Sequence, residues 1–209
     1  MPARANANSG VSDRSSPNRI DGRRSKDRLI RAAGKLLAER KSFTLSDVAD
    51  RAGVSTTTAY RYFQSAEDAS DAYVAGFLDD FEQRHTRAAS SSDAEPLATV
   101  CRVWIDAVLE WGPALIHLRS PDGFLERLRI GDAALARVAS IVRPAIQSTA
   151  DSIGITFDGV ALDYVLGVWN ALSDPREVLD QRDALKWGSE QIGTRLTSAV
   201  TGTIQSFAK

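Results

Sequence analysis

Cysteine occurs once, at Cys101, so the chain has no internal disulfide and must hold together by packing, as suits a reducing compartment. Cys101 lies in a helical pattern (TVCRVWIDAVL) and reads as a small core residue. Long apolar runs are missing as well. No stretch approaches the roughly 18 residues that a membrane span needs. The opening MPARANANSGVSDRSSPNRIDG lacks the apolar segment of a secretory signal, so a cytoplasmic protein without membrane association is expected. Only two histidines are present, His85 and His117, 32 positions apart, and no metal-ligand cluster, phosphate loop or nucleophile elbow accompanies them. No metal, no cofactor and no catalytic residue is therefore expected, and the chain does not read as an enzyme. Strict alternation of apolar and polar residues is absent too, which excludes strands and leaves an all-α fold.

What remains is ordinary for a soluble globular protein: 209 residues, 43% apolar and 25% charged, ample for a buried core in one or two domains. The net charge of −1 hides an asymmetry. Residues 1–64 carry 13 basic and 6 acidic side chains, whereas residues 65–209 carry 13 basic and 21 acidic. A basic N-terminal third on an acidic body implies a polyanionic partner for that third alone.

Residues 1–22 have almost nothing to bury and read as a flexible basic tail. A first helix is expected from Ser25, an N-cap, with Leu29, Ile30, Ala33, Leu36 and Leu37 on one face. Thr44 caps a short second helix, with Asp47 completing a capping-box-like pair, and Gly53 stops it. A third helix follows Ser55, and a long fourth runs from Ala66 to about residue 89, acidic in its first turn. Ser90–Asp93 reads as a connector. Further helices are expected at 95–111, briefly after Gly112-Pro113, at 124–152 with a break near Gly131, at 158–172 ended by Asp174-Pro175, and at 184–207. Ser120-Pro121-Asp122-Gly123 reads as a turn.

Residues 44–63, TLSDVADRAGVSTTTAYRYF, carry the most information. A helix-turn-helix needs a small residue where its helices touch, a turn residue that tolerates positive φ, and apolar anchors in the second helix. Ala49, Gly53 and the trio Val54, Ala59 and Phe63 meet these needs in turn. Ser55 can cap the second helix with backbone N–H groups left for a phosphate. Thr56, Thr57, Thr58 and Arg61 point outward between the anchors, with Tyr60 and Tyr62 alongside. Hydroxyls, a guanidinium and phenols can reach base edges, thymine methyls and phosphates in a major groove.

The pattern T-x-x-x-V-A-x-x-A-G-V-S-x-x-T-x-Y-x-Y-F, after an amphipathic helix and before an acidic helix start, resembles the head of the TetR family of transcriptional regulators. The resemblance covers residues 23–70 and implies a three-helix DNA-binding head there. Residues 71–209 would then form a helical ligand-binding and dimerisation body. Carried over by position, it implies that Thr44 and Tyr60 meet phosphate. It also implies that Ser55, Thr56, Thr57, Thr58 and Arg61 face bases or nearby phosphates, and that Tyr62 either contacts DNA or packs. Arg23, Arg24 and Lys26 could reach DNA from the first helix. One departure stands out: where the family carries a lysine at the start of the fourth helix, this chain has Ala66. Its loss would weaken affinity and flatten the salt dependence, or mark a dimeric sensor or scaffold that no longer binds DNA.

The resemblance further implies a homodimer built on the C-terminal helices, 158–172 and 184–207, reading a palindromic operator in double-stranded DNA, with repression as the default outcome. It implies a small-molecule effector in a cavity among the middle helices. Trp104, Trp111, Phe124, Tyr164 and Trp169 could line that cavity, and His117 or Arg119 could orient a polar group.

Overall fold

The computed structural model describes residues 17–39, 42–90, 95–118 and 122–208, and among them every regular element is helical. The elements are α1 (Pro17–Ala38), α2 (Leu45–Ala52), α3 (Thr56–Tyr60), α4 (Ala66–Ala89) and α5 (Pro96–Trp111), then a 3-10 segment (Gly112–Leu118). α6 (Phe124–Arg129), α7 (Ala133–Ser152), α8 (Gly159–Leu172), α9 (Pro175–Ala184) and α10 (Ser189–Gln205) complete the chain. Most of the tail expected at residues 1–22 lies outside the described residues, as do most of the 90–93 connector and the first half of the 120–123 turn.

Three boundaries differ from expectation, each for a local reason. Helix α1 opens at Pro17, a residue suited to a first helical turn, rather than after Ser25. The Ser25 hydroxyl instead donates to the Asp21 carbonyl one turn back, at 2.9 Å, so it serves inside the helix. Asp174-Pro175 ends α8 but also begins α9, with Asp174 as N-cap and Pro175 in the first turn. That helix was not expected. The last helix consequently starts at Ser189 after Lys186, which takes a positive φ of 59°, and Leu185 is exposed rather than part of the helical seam. The break near Gly131 is real, because its φ of +85° separates α6 from α7.

Two apolar cores result. The head core joins Leu29, Ala33 and Leu36 of α1, Val48 and Ala49 of α2, Ala59 of α3 and the following Phe63. The body core is organised around α5, which packs against α4, α7, α9 and α10. Nine of its residues are buried, from Leu97 to Val108, as befits a helix apolar on nearly all sides. Phe81 and Trp169 are completely buried there and each stabilises the body by about 1.5–3 kcal/mol. Cys101 is buried in the same core, which pushes its thiol up to about 11 and leaves it unreactive.

Head and body meet along α1, α4 and the 3-10 segment, which touches both α1 and α9. Gly34 of α1 lies flat against the ring of Tyr73 on α4, leaving no room for a methyl group. The Tyr73 hydroxyl donates to the Trp111 carbonyl at the end of α5, and burial pushes its pKa up to about 12. Trp111 in turn donates from Nε1 to Asp80 at 2.9 Å, and Arg84 bridges Asp80 and Glu110 at 2.7 and 2.5 Å. Across the other side of α4, Arg137 of α7 holds Asp79 and Glu82 at 2.7 Å each.

Candidate nucleic-acid interface and body cavity

The α2–α3 pair is fixed by caps at each end. Thr44 takes an extended conformation before α2 and its hydroxyl accepts from the Asp47 N–H at 3.2 Å. The Asp47 carboxylate accepts from the Thr44 N–H at 2.7 Å and from its hydroxyl at 2.8 Å, closing the box. Those hydrogen bonds, from the Thr44 backbone first, hold the Asp47 carboxyl below its ordinary pKa. At the other end Gly53 adopts the left-handed conformation, φ 65° and ψ 41°, and its N–H meets the Asp50 carbonyl at 3.1 Å. Space is not what requires glycine here, since a methyl group at this position would meet nothing within 4 Å; the backbone angle is. Ser55 then caps α3, accepting from the Thr58 N–H at 3.1 Å, while the two hydroxyls meet at 2.8 Å.

With Ala59 and Phe63 buried, the outer face of α3 is decided. Thr57, Tyr60 and Arg61 are exposed, Tyr60 to 58%, and Thr56 and Thr58 are half-buried beside them. Tyr62 is half-buried, and the Arg61 guanidinium lies 5.0 Å over its ring and donates to its hydroxyl at 3.3 Å. Thr44 is exposed at the start of α2, its hydroxyl shared with the cap. Gly22 of α1 lies against the Tyr62 hydroxyl, which brings exposed Arg23, Arg24 and Lys26 to the same end of the head as Arg61. Ser65 caps α4 by accepting from the Asp68 N–H at 3.0 Å, and Asp68 accepts from the Gln64 N–H at 2.8 Å, so the start of α4 around Ala66 is acidic and self-satisfied.

The structure therefore brings hydroxyls, phenols and guanidinium groups together on the exposed side of a capped and packed three-helix unit. Residues 29–68 match the family model described as bacterial regulatory proteins, tetR family. The head is of the tetR family. Solved structures agree on the fold of the rest. A tetR-family transcriptional regulator from Streptomyces coelicolor is similar at 22% identity and a TM-score of 0.56, over 85% of this chain and 81% of that one. The TetR-like regulator LfrR from Mycobacterium smegmatis, solved in complex with proflavine, is similar at 20% identity and a TM-score of 0.60, over 87% and 96%. The fatty acid degradation regulator FadR from Bacillus halodurans is similar at 18% identity and a TM-score of 0.63, over 85% and 95%. A search of curated protein sequences returns no match.

The body holds a cavity of about 350 Å³ between α4, α5, the 3-10 segment, α6, α7 and the α8–α9 corner. Phe77, Trp104, Leu115, Phe124 and Val138 give it apolar walls, and Arg127, Asn170, Ser173 and Asp174 give it a polar edge. Trp104 and Phe124 thus line it. Trp169 lies one layer behind, fully buried with its ring 5.1 Å from Trp104. Trp111 stands at the head–body junction, its ring 5.0 Å from Tyr73, and Tyr164 is 57% exposed on the outside of α8. The His117 side chain and Arg119 lie outside the described residues. Asn170 and Ser173 were missed from the sequence, although one signal was available: Asn170 is the only polar residue in the run from Val165 to Leu172. Among the described residues no group of acidic residues, histidines and cysteine could hold a metal, and no helix is long and apolar enough to cross a membrane.

Proposed function

We propose that this chain is a ligand-responsive repressor that binds a palindromic operator as a homodimer in the cytoplasm. The observation that carries the DNA-binding half is the exposed row Thr57, Tyr60 and Arg61 on a helix whose inner residue Ala59 is completely buried. A side chain so exposed on so rigid a frame is placed for recognition rather than for packing. Tyr60 and Thr44 would contact phosphate, and Thr56, Thr57, Thr58 and Arg61 would read or flank bases, with Ser55 holding the helix start. A five-residue recognition helix offers few base contacts, so a useful specificity needs two heads on two half-sites.

The body supports pairing. Val160, Tyr164 and Leu172 of α8 are exposed at 79%, 57% and 41%, with Phe207 beyond α10 against the Tyr164 ring. An apolar strip of this kind on two adjacent helices suits a second copy of the same surface. Ligand response would use the cavity, because its walls include Leu115 and Ile116 of the 3-10 segment that rests on α1, and Val74, Phe77 and Leu78 of α4. Occupancy would then shift the head relative to the body and change the spacing of the two recognition helices.

Selection from random duplex DNA with the purified protein, at near-physiological salt, tests this reading. An enriched palindrome, lost in Thr57→Ala and Tyr60→Ala, is the expected result. No enrichment even at low salt would turn the reading toward a dimeric sensor without DNA, for which Ala66 and the acidic start of α4 are the motive.

A further inference from the structure

The charges that the described residues bring to the cavity are already paired. Arg127 donates twice to Asp132, at 3.0 Å from Nε and 2.5 Å from Nη2, while Asp132 also caps α7 through the Leu135 N–H. Asp174 accepts from the Arg176 backbone at 2.9 Å and pairs with its guanidinium at 3.3 Å. Asp122, at the rim, is partnered as well. A charged ligand entering here would shed water and find, among the described residues, no free opposite charge to replace it. Among the described residues the walls otherwise are rings and aliphatic groups, apart from Asn170 and Ser173. Ser173 is 1% exposed, its carbonyl accepts from Trp104 Nε1 at 2.8 Å, and its hydroxyl has no hydrogen-bond partner. An unpartnered buried hydroxyl is costly; this one sits just beneath the cavity wall, and a turn about its Cα–Cβ bond toward the cavity would let a ligand group meet it and remove that cost. Asn170, one turn earlier on α8, adds an amide at the same edge.

From this pairing of neutralised charges with an orphaned hydroxyl we propose that the cavity takes a largely apolar, uncharged molecule bearing a hydroxyl or carbonyl group, received by Ser173 and Asn170. The proposal rests on the ligand-responsive reading above and adds the chemical class. At about 350 Å³ the space is near the lower end for ligand pockets, which run from about 300 to 1,000 Å³, so a compact two-ring molecule is the right scale.

Three probes of one shape and different charge decide it: 2-naphthylmethanol, 2-naphthoate and 2-naphthylmethylammonium, titrated calorimetrically into the full chain at neutral pH. The alcohol should bind about tenfold or more tighter than either ion. Ser173→Ala should weaken the alcohol by about 3- to 10-fold, the worth of one hydrogen bond, while leaving naphthalene itself unaffected. Because that variant removes an orphaned group, its unfolding temperature should hold or rise, so a loss of binding is not a loss of fold. Either ion binding as tightly as the alcohol would overturn the class while leaving the cavity a ligand site. No binding by any probe would overturn both the class and the ligand half of the function, with operator selection still deciding the DNA half. An unchanged alcohol affinity in Ser173→Ala would overturn the assignment of that hydroxyl.

Discussion

Gly34→Ala should destabilise this protein, although alanine is the better helix former. Gly34 is buried in the interior of α1, where replacing glycine ordinarily gains about 1 kcal/mol. Here a methyl group would overlap three atoms of the Tyr73 ring. The ring cannot step aside cheaply, since its hydroxyl is bonded to the Trp111 carbonyl and its centroid lies 5.0 Å from that of Trp111. Overpacking of this kind costs about 1–3 kcal/mol, and the depth of the overlap argues for the upper end. The two effects leave a net loss of about 2 kcal/mol, a fall of about 4–8 °C in unfolding temperature for a chain of this length. Scanning calorimetry of Gly34→Ala, Tyr73→Ala and the double variant reads it directly. In the Tyr73→Ala background the ring is gone, so adding Gly34→Ala should raise the transition by about 2–4 °C, a reversal of sign. A rise in the otherwise native chain would refute the close approach of α1 and α4 on which the proposed head–body communication depends.

Four further outcomes follow from the same structure. Arg61→Ala should lower operator affinity and flatten the dependence of log affinity on log salt by about one unit per head if the guanidinium meets phosphate; a base contact would instead relax specificity at one position, by about 1–3 kcal/mol. Thr44→Ala should cost about 1 kcal/mol in urea unfolding by removing the cap of α2. Asp47 has a folded pKa below its ordinary 3.8, so its contribution is complete above that value and is lost as pH falls through the lower folded one; the gap between native and Thr44→Ala chains should narrow on that acid side, and a constant gap would refute the coupling. Val160→Glu, at a 79% exposed position, should leave thermal stability of the isolated subunit within about 0.5 kcal/mol while shifting sedimentation toward monomer; an unchanged dimer would remove α8 from the interface.

The local relations of the head and most of the body helices were legible, while α9 and the use of the body's surfaces were not, and the reason is physical. In the head each function is local. Thr44 and Asp47 cap within three residues, Gly53 sets one turn, and Ala59 and Phe63 must be inside if Thr57, Tyr60 and Arg61 are outside. Such relations are spacings along the chain, so the sequence states them directly. The acidic start of α4 was equally plain. The α8–α9 corner was not, because Asp-Pro is both a stop and a start: it ends one helix and, through the Asp174 cap, nucleates the next.

In the body the same helical period serves two apolar surfaces at once, and periodicity does not say which is which. On α8, Trp169 and Tyr164 are five residues apart and equally aromatic, yet one is wholly buried against Trp104 and the other is 57% exposed beside Phe207. Only the packing of α7 and α10 against α8, and of the Trp104 ring from α5, separates a face that completes the core from one left exposed. The cavity shows the same limit more sharply. Its walls come from widely separated stretches of chain, and the one orphaned hydroxyl among its described residues belongs to Ser173, which in sequence is merely the end of a helix. What distinguishes Ser173 is that Trp104, 69 positions away, has taken its carbonyl and nothing has taken its hydroxyl. A vacancy of that kind is a property of assembled surfaces, so ligand chemistry in a body of this fold has to be read from unmet hydrogen bonds and matched charges rather than from aromatic content.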